Sequence, residues 1–267
     1  MLIPEVRTLR RHHPVAVLLI VALGILPPLS AAAPDGRGEP KEDRGADAAR
    51  PALRAGISDP ELRKVLDDFD QAQRNTTTLV ARFTEEKRLR LLQRPVVSHG
   101  ELFFLRPNQV RWEYLEPDRK VFVITEERYV AYYPALKRAE EVPIRKFVGR
   151  RLFRFIGLGQ SIDDLGRSYD FALAPKTDLP GTRLLVLTPR KKKVRERMAE
   201  MKIWVDVTTS LPRKLQYVEA DGDSTILTFH DLRPNVDIAG SRFRLELPGD
   251  VVKSDTFNGF SLGEQSF

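Results

Sequence analysis

Apolar and polar positions alternate along much of this chain, and the alternation is clearest between Gly100 and Pro117. There the stretch GELFFLRPNQVRWEYLEP sets two apolar or aromatic runs, Leu102 to Leu105 and Val110 to Leu115, on either side of Arg106-Pro107-Asn108. Two such runs joined by a short connection containing Pro and Asn predict a β-hairpin. Similar runs cover Leu79 to Arg90, Val96 to Leu105, Lys120 to Thr125, Tyr129 to Tyr133 and Lys137 to Val142. After one interruption they resume at Tyr169 to Ala174, Thr182 to Thr188, Met198 to Val207, Pro212 to Glu219, Ser224 to Leu232 and Arg242 to Leu247. The gaps are short and turn-like, which predicts antiparallel neighbours, since parallel ones need long crossovers.

Two segments carry a helical period instead. Asp59 suits an N-cap and Pro60 the first helical position, with Leu62, Val65, Leu66, Phe69 and Ala72 on one face of a helix running to about Arg74. The interruption, Pro143 to Ser168, repeats Ile144, Phe147, Val148, Leu152, Phe155 and Ile156 at three- and four-residue steps. Arg145, Lys146, Arg150, Arg151 and Arg154 fall between them, the pattern of a basic amphipathic helix.

Strand alternation also names an inner face. If Leu102 and Phe104 point inward, so does Arg106, and across the turn so do Val110, Trp112 and Tyr114. The same reading selects Phe83 with Ala81, then Leu184, Val186, Ile203, Val205, Leu215, Tyr217, Leu227 and Phe229, and finally Phe243 and Leu245. A sheet of about a dozen strands is expected to curl. The expected fold is therefore mainly β: a single antiparallel sheet curled into an unclosed β-barrel, or half-barrel, with an N-terminal helix and an inserted helical lid over an apolar cavity. The inner-face residues serve equally as an ordinary core or as the lining of a ligand cavity, and the pattern leaves both readings open.

The ends change the picture. Arg7, Arg10 and Arg11 precede an apolar run from Val15 to Leu29, and Ala31-Ala32-Ala33 follows, which together read as a cleaved signal peptide over residues 1–33. Residues 34–58, rich in Gly, Pro, Ala and charge, read as a disordered linker. Residues 59–267 are expected to form one domain. Cleavage would remove Arg7, Arg10, Arg11 and Glu5, a net of two positive charges from the formal +7. A modest basic excess suits anionic lipid surfaces or acidic partners. No nucleic-acid module accompanies it, so nucleic acid is not an expected partner.

Catalytic chemistry finds little to work with. The chain has no cysteine and four histidines, two of which, His12 and His13, belong to the signal segment. His99 and His230 are far apart in sequence, and neither a GxSxG, an HExxH nor a phosphate-binding glycine loop is present. The adjacent pairs Glu85-Glu86, Glu126-Glu127, Glu140-Glu141 and Asp163-Asp164 read as solvated charge, because neighbours on a strand face opposite ways. No enzyme, no metal site and no cofactor is expected.

One resemblance covers roughly Asp59 to Val252. The strand with Val80-Ala81-Arg82-Phe83-Thr84, then Gly100-x-Leu102-x-x-x-Arg106-Pro107-Asn108-x-x-x-Trp112 and Pro117, resembles the signature of the periplasmic outer-membrane lipoprotein carrier, the LolA family. Phe229-x-Asp231-Leu232 and Phe243-x-Leu245-x-Leu247-Pro248 are similar to that family's closing strands. The resemblance implies a soluble, monomeric periplasmic carrier that holds the acyl chains of lipoproteins or lipids. It would receive them from an inner-membrane lipoprotein-releasing transporter and pass them to an outer-membrane acceptor. It further implies that Arg106 latches the lid helices and that Trp112 lies on the cavity wall. A lipid-binding or lipoprotein-sensing envelope module of the same fold, not a general carrier, is the alternative.

Overall fold

The computed structural model of the protein describes residues 57–143 and 162–255. The segment read as a signal peptide and nearly all of the linker lie outside the described residues. So does the stretch carrying Phe147, Val148, Leu152, Phe155 and Ile156.

The chain enters through helix α1 (Pro60–Asn75). Asp59 caps it, its carboxylate accepting from the backbone N–H groups of Glu61 and Leu62 at 2.9 and 3.2 Å. Pro60 sits at the first turn, where its missing N–H is no loss. Leu62, Leu66 and Phe69 form the buried stripe. The helix ends at Thr76, whose backbone N–H and hydroxyl both donate to the Ala72 carbonyl.

Twelve strands follow: β1 (Thr78–Arg88), β2 (Val96–Leu105), β3 (Gln109–Glu116), β4 (Lys120–Ile124), β5 (Arg128–Tyr133), β6 (Arg138–Pro143), β7 (Tyr169–Leu173), β8 (Thr182–Pro189), β9 (Met198–Asp206), β10 (Pro212–Glu219), β11 (Ser224–Pro234) and β12 (Val252–Ser254). They make one sheet in the order β12-β6-β5-β4-β3-β2-β1-β11-β10-β9-β8-β7. β1 joins two meanders, pairing with β2 on one side and β11 on the other. The connection from β6 to β7 carries the chain from one flank of the sheet to the other.

Two expectations are corrected here, and a third falls outside the described residues. The sheet is open: β12 and β7 are its edges, and among the described residues no strand pairs with the outer side of either, so it is an open sheet and not the expected half-barrel. Alternation demands only that one face be covered, and an open sheet bearing α1 satisfies it as well as a curled one. The sheet is not wholly antiparallel either, because β12 adds to β6 in parallel. Finally, no second long helix lies among the described residues. Ile162–Gly166 and Lys192–Arg195 are single turns, and the expected lid residues fall outside the described region.

Both faces of the sheet bury apolar side chains. The larger core joins α1 to Leu79, Ala81, Phe83, Leu102, Phe104 and their neighbours across the sheet. A smaller cluster on the opposite face holds Phe103, Val121, Val123 and Phe243, with Ile238 and Leu245 packed against it. Phe243 and Leu245, expected on the inner face, therefore cover the outer one. Residues 242–247 form no strand: Gly240–Phe243 is a 3-10 turn, and the following chain lies across the sheet without pairing to it.

Candidate functional site

The helix-bearing face gathers aromatic side chains from five strands. Phe229 on β11, Phe83 on β1, Trp112 and Tyr114 on β3, Phe122 on β4 and Tyr133 on β5 form a continuous row of rings. Phe83 lies 4.6 Å from Trp112 and 5.2 Å from Tyr114 between centroids, the latter edge-on. Trp112 meets Phe229 at 6.5 Å, and Tyr114 meets Phe122 and Phe122 meets Tyr133 at 6.0 Å. These tilted and edge-on geometries are the favourable ones for ring quadrupoles.

The row skips β2 because Gly100 stands there. Gly100 pairs with Phe83 on one side and Tyr114 on the other, and the Phe83 ring lies over its Cα. A Cβ at this position would collide with the Glu113 carbonyl oxygen and come within 2.5 Å of Phe83 Cζ. The glycine is what lets rings on β1 and β3 meet across the intervening strand.

Of the residues expected to line this face, Phe83, Leu102, Phe104, Val110, Ile203, Val205, Leu215, Leu227 and Phe229 are buried in the main core. Trp112, Tyr114 and Tyr217 are half-buried and pack against it. Leu184 and Val186 are on the other face. Leu185 and Leu187 are the fully buried ones, with Leu185 opposite Ile203. The run Leu184-Leu185-Val186-Leu187 is apolar on both parities, so alternation gave no means of choosing between them.

Sequence reasoning missed the acidic groups on this face. Glu85, read as solvated, is 2% exposed and continues the Leu79-Ala81-Phe83 parity. Its carboxylate accepts from the Tyr114 hydroxyl at 2.9 Å and lies 3.7 Å from Lys87 Nζ. Glu140 is also fully buried, opposite Ala131. The signal was available: each carboxylate keeps the step of two set by its apolar neighbours. Burial, reinforced by Tyr133 and Glu140, holds the Tyr129 hydroxyl well above its ordinary range, and burial pushes Tyr169 up to about 12. These phenols are neutral at any physiological pH. The Trp112 indole N–H is buried and has no hydrogen-bond partner among the described residues.

Arg106 is half-buried at the top of β2, and its guanidinium caps α1. Nε donates to the Thr76 carbonyl at 2.7 Å and Nη2 to the Gln73 carbonyl. These are carbonyls that the last helical turn leaves without intrahelical donors, at the negative end of the helix dipole. Burial lowers the Arg106 pKa from its ordinary value without threatening its charge. The expected partners of this arginine, the inserted lid residues, lie outside the described residues. What the structure joins is β2 to the N-terminal helix.

α1 lies along one end of the sheet. Its C-terminus meets Arg106 at the β2–β3 turn, and Glu61 near its N-terminus pairs with Arg183 at the start of β8. The half-buried rings Tyr114, Tyr169 and Tyr217 belong to the opposite end, beside Lys120, Pro189 and Thr225 respectively. The apolar face is thus covered by helix at one end and edged by tyrosines at the other.

Among the described residues no group of three His, Cys, Asp or Glu could hold a metal ion. His99 and His230, distant in sequence, both contact Thr84 Oγ1 on the outer face, at 3.2 and 3.0 Å.

No curated protein matches the chain. Solved structures resemble it distantly. An uncharacterised conserved protein from Thermus thermophilus is 15% identical over 73% of this chain and 98% of that one, with a TM-score of 0.49. The MucA/MucB complex of Pseudomonas aeruginosa matches at 16% identity over 68% of this chain and 60% of that one, TM-score 0.44. The lipoprotein LppX of Mycobacterium tuberculosis matches at 11% identity over 68% and 100%, TM-score 0.42. The family model for the outer membrane lipoprotein carrier protein LolA matches residues 74–246, from the last turn of α1 through the Phe243 segment. That span takes in the Gly100 crossing, the ring row and Arg106, and with them the chain belongs to the LolA family of non-catalytic, periplasmic lipid- and lipoprotein-binding proteins.

Proposed function

We propose that this protein is a periplasmic envelope module that binds an acylated lipid or lipoprotein against its helix-bearing face, without serving as a general shuttle between membranes. The observation that carries this reading is the row of rings from Phe229 to Tyr133, flanked by half-buried tyrosines at the end away from α1. Each methylene of an acyl chain moved from water onto such a surface gains about 0.8 kcal/mol. The Trp112 N–H, which has no partner among the described residues, adds a donor for an ester or amide carbonyl at the head of the chain.

The preference against a shuttle rests on Arg106. A shuttle needs a latch that opens on transfer, whereas this guanidinium bonds two carbonyls of a helix whose apolar stripe is in the core. The test has two arms. Protein purified from its own envelope is extracted with organic solvent for mass spectrometry, and a synthetic lipopeptide is titrated against a bound apolar dye. Recovery of acyl species and dye displacement support binding, and the absence of both overturns it. Trp112→Phe keeps the ring and removes the donor, so a lipopeptide affinity weakened about fivefold at unchanged melting temperature is the expected result. Transfer of a lipoprotein from inner- to outer-membrane vesicles by this protein alone would restore the shuttle reading.

A further inference from the structure

The two ends of the sheet differ in a way that a lipid held on the helix-bearing face would not explain. Seven large hydrophobic residues are exposed among the described residues, and six of them, all but Val207, lie towards one end. The pairing registers place them. Lys87 opposite Val96 puts the β1–β2 loop at this end, and Arg88 opposite Ser224 adds the β10–β11 turn. Glu219 opposite Met198 adds the β8–β9 connection, and Tyr133 opposite Arg138 adds the β5–β6 connection. Leu91, 92% exposed, and Leu92, 49% exposed, form the tip of the β1–β2 loop. Leu136 lies in the β5–β6 connection, and Val252 pairs with Arg138 beside it.

The leucine tip is held in place. Leu92 N–H donates to the Leu89 carbonyl, closing a turn. Arg90 anchors that turn to the β10–β11 turn, its backbone N–H donating to Asp223 Oδ1 at 2.8 Å and its guanidinium to the Asp221 carbonyl. Apolar side chains are therefore presented to solvent by a fixed loop. Cations surround them: Arg94 in the same loop, Lys137 and Arg138 after Leu136, and Lys191, Lys192 and Arg197 between β8 and β9. Lys137 pairs with Asp250 at 2.7 Å, whereas Arg94, Lys191, Lys192 and Arg197 form no ion pair among the described residues, although Asp118, Glu196, Asp221 and Asp223 stand at this end too.

We infer that this end of the sheet docks on an anionic phospholipid surface, with Leu91 and Leu92 entering the interfacial layer and the loop cations meeting the headgroups. Leu91 and Leu92 share one loop tip and Leu136 lies in another connection, while Val97, Leu115 and Val252 lie on β2, β3 and β12, so the apolar side chains are dispersed over this end. A fluid bilayer accommodates dispersed side chains, and basic residues around apolar ones are the composition that interfacial binding favours. Tyr114, Tyr169 and Tyr217 edge the apolar face towards this same end, so docking would bring that face to the bilayer from which an acyl chain comes. The inference concerns where the protein meets a membrane, not what its inner face holds.

The experiment is cosedimentation of the protein with vesicles of phosphatidylglycerol and phosphatidylcholine, against vesicles of phosphatidylcholine alone. Binding to the anionic vesicles only, weakening with added salt, is the expected result. Each lysine or arginine brought to such a surface strengthens binding about fivefold. Arg94→Gln with Lys191→Gln and Lys192→Gln should thus lower the partition coefficient at least tenfold, and Leu91→Ser with Leu92→Ser should lower it by a similar factor. Both variants change exposed side chains, so their melting temperatures and lipopeptide dye displacement should match the unaltered protein. That separates failure of docking from failure of lipid binding. Equal binding to both vesicle types, or unaltered anionic binding by both variants, overturns the inference and leaves this end to a protein partner.

Discussion

Gly100 has no room for a side chain, and that is a prediction about stability as well as an account of the ring row. The Glu113 carbonyl and the Phe83 ring both stand where a Cβ would go, and the former is backbone fixed by two strand pairings. Gly100→Ala should cost about 1–3 kcal/mol by overpacking, read as a lowered urea midpoint at unchanged slope. A second residue-scale prediction concerns Glu113 on the opposite face, bracketed by Arg111 at 2.7 and 2.9 Å and Arg119 at 2.8 and 3.2 Å. Burial alone would raise its pKa, but the hydrogen bonds and charges of Arg119 and Arg111 outweigh burial and hold it below the ordinary carboxylate range. A depressed folded-state pKa gives stability that is complete above the unfolded value of about 4.3 and is lost as pH falls through the folded one. Glu113→Gln should therefore lose most against the parent protein at pH 7, with the gap narrowing on acidification below about pH 4. A gap that stays constant from pH 7 to pH 3 would mean that the charge of Glu113 contributes nothing.

At the scale of elements, α1 is held at both ends by side chains that the sequence singled out, Asp59 and Arg106. Asp59→Ala should cost about 1 kcal/mol through its two lost N-cap bonds. Arg106→Leu should cost about 1.5–3 kcal/mol, because charged hydrogen bonds to Gln73 and Thr76 disappear and leave those carbonyls unmet. The two sites are separated by the whole helix, so chemical denaturation should find the double variant additive to about half a kcal/mol. The cap, the helix stripe and eleven of the strands, β1 to β11, were legible because each is an apolar run bounded by turn residues. The inner face of β8 was not, because four consecutive apolar residues fit either parity and only pairing with β9 decides. The last expected strand failed differently. Phe243 and Leu245 alternate as a strand would, yet they bury against Phe103, Val121 and Val123 from outside the sheet. A short alternating run can thus be satisfied by lying on a sheet as well as by joining one. Phe83, Trp112, Tyr114 and Phe229 of the ring row were legible by parity, whereas Phe122 and Tyr133 were not singled out. Glu85 and Glu140 were set aside on residue type, when their positions carried the opposite message.

At the scale of the molecule, the open sheet is asymmetric from end to end: helix and caps secure one end, and tyrosines, exposed leucines and lysine-rich loops make up the other. A ligand held against the rings should be felt unequally along the strands. Ligand binding to the native state stabilises it by about 2.7 kcal/mol at a hundredfold excess over Kd. Amides that open only by global unfolding should all slow by the factor this implies, about a hundredfold. Local openings near the tyrosine end do not expose the whole core, and they should slow in proportion to their own contact with ligand. Hydrogen exchange with and without a saturating lipopeptide is then expected to show its largest local protection around Tyr114 to Val121, Tyr169 to Phe171 and Val218 to Thr225. The amides flanking the Asp59 cap and the β2–β3 turn should change little below the global limit. If protection instead concentrates at α1 and Arg106, the acyl chain enters from the helix end, and the tyrosine edge is an ordinary margin of the core.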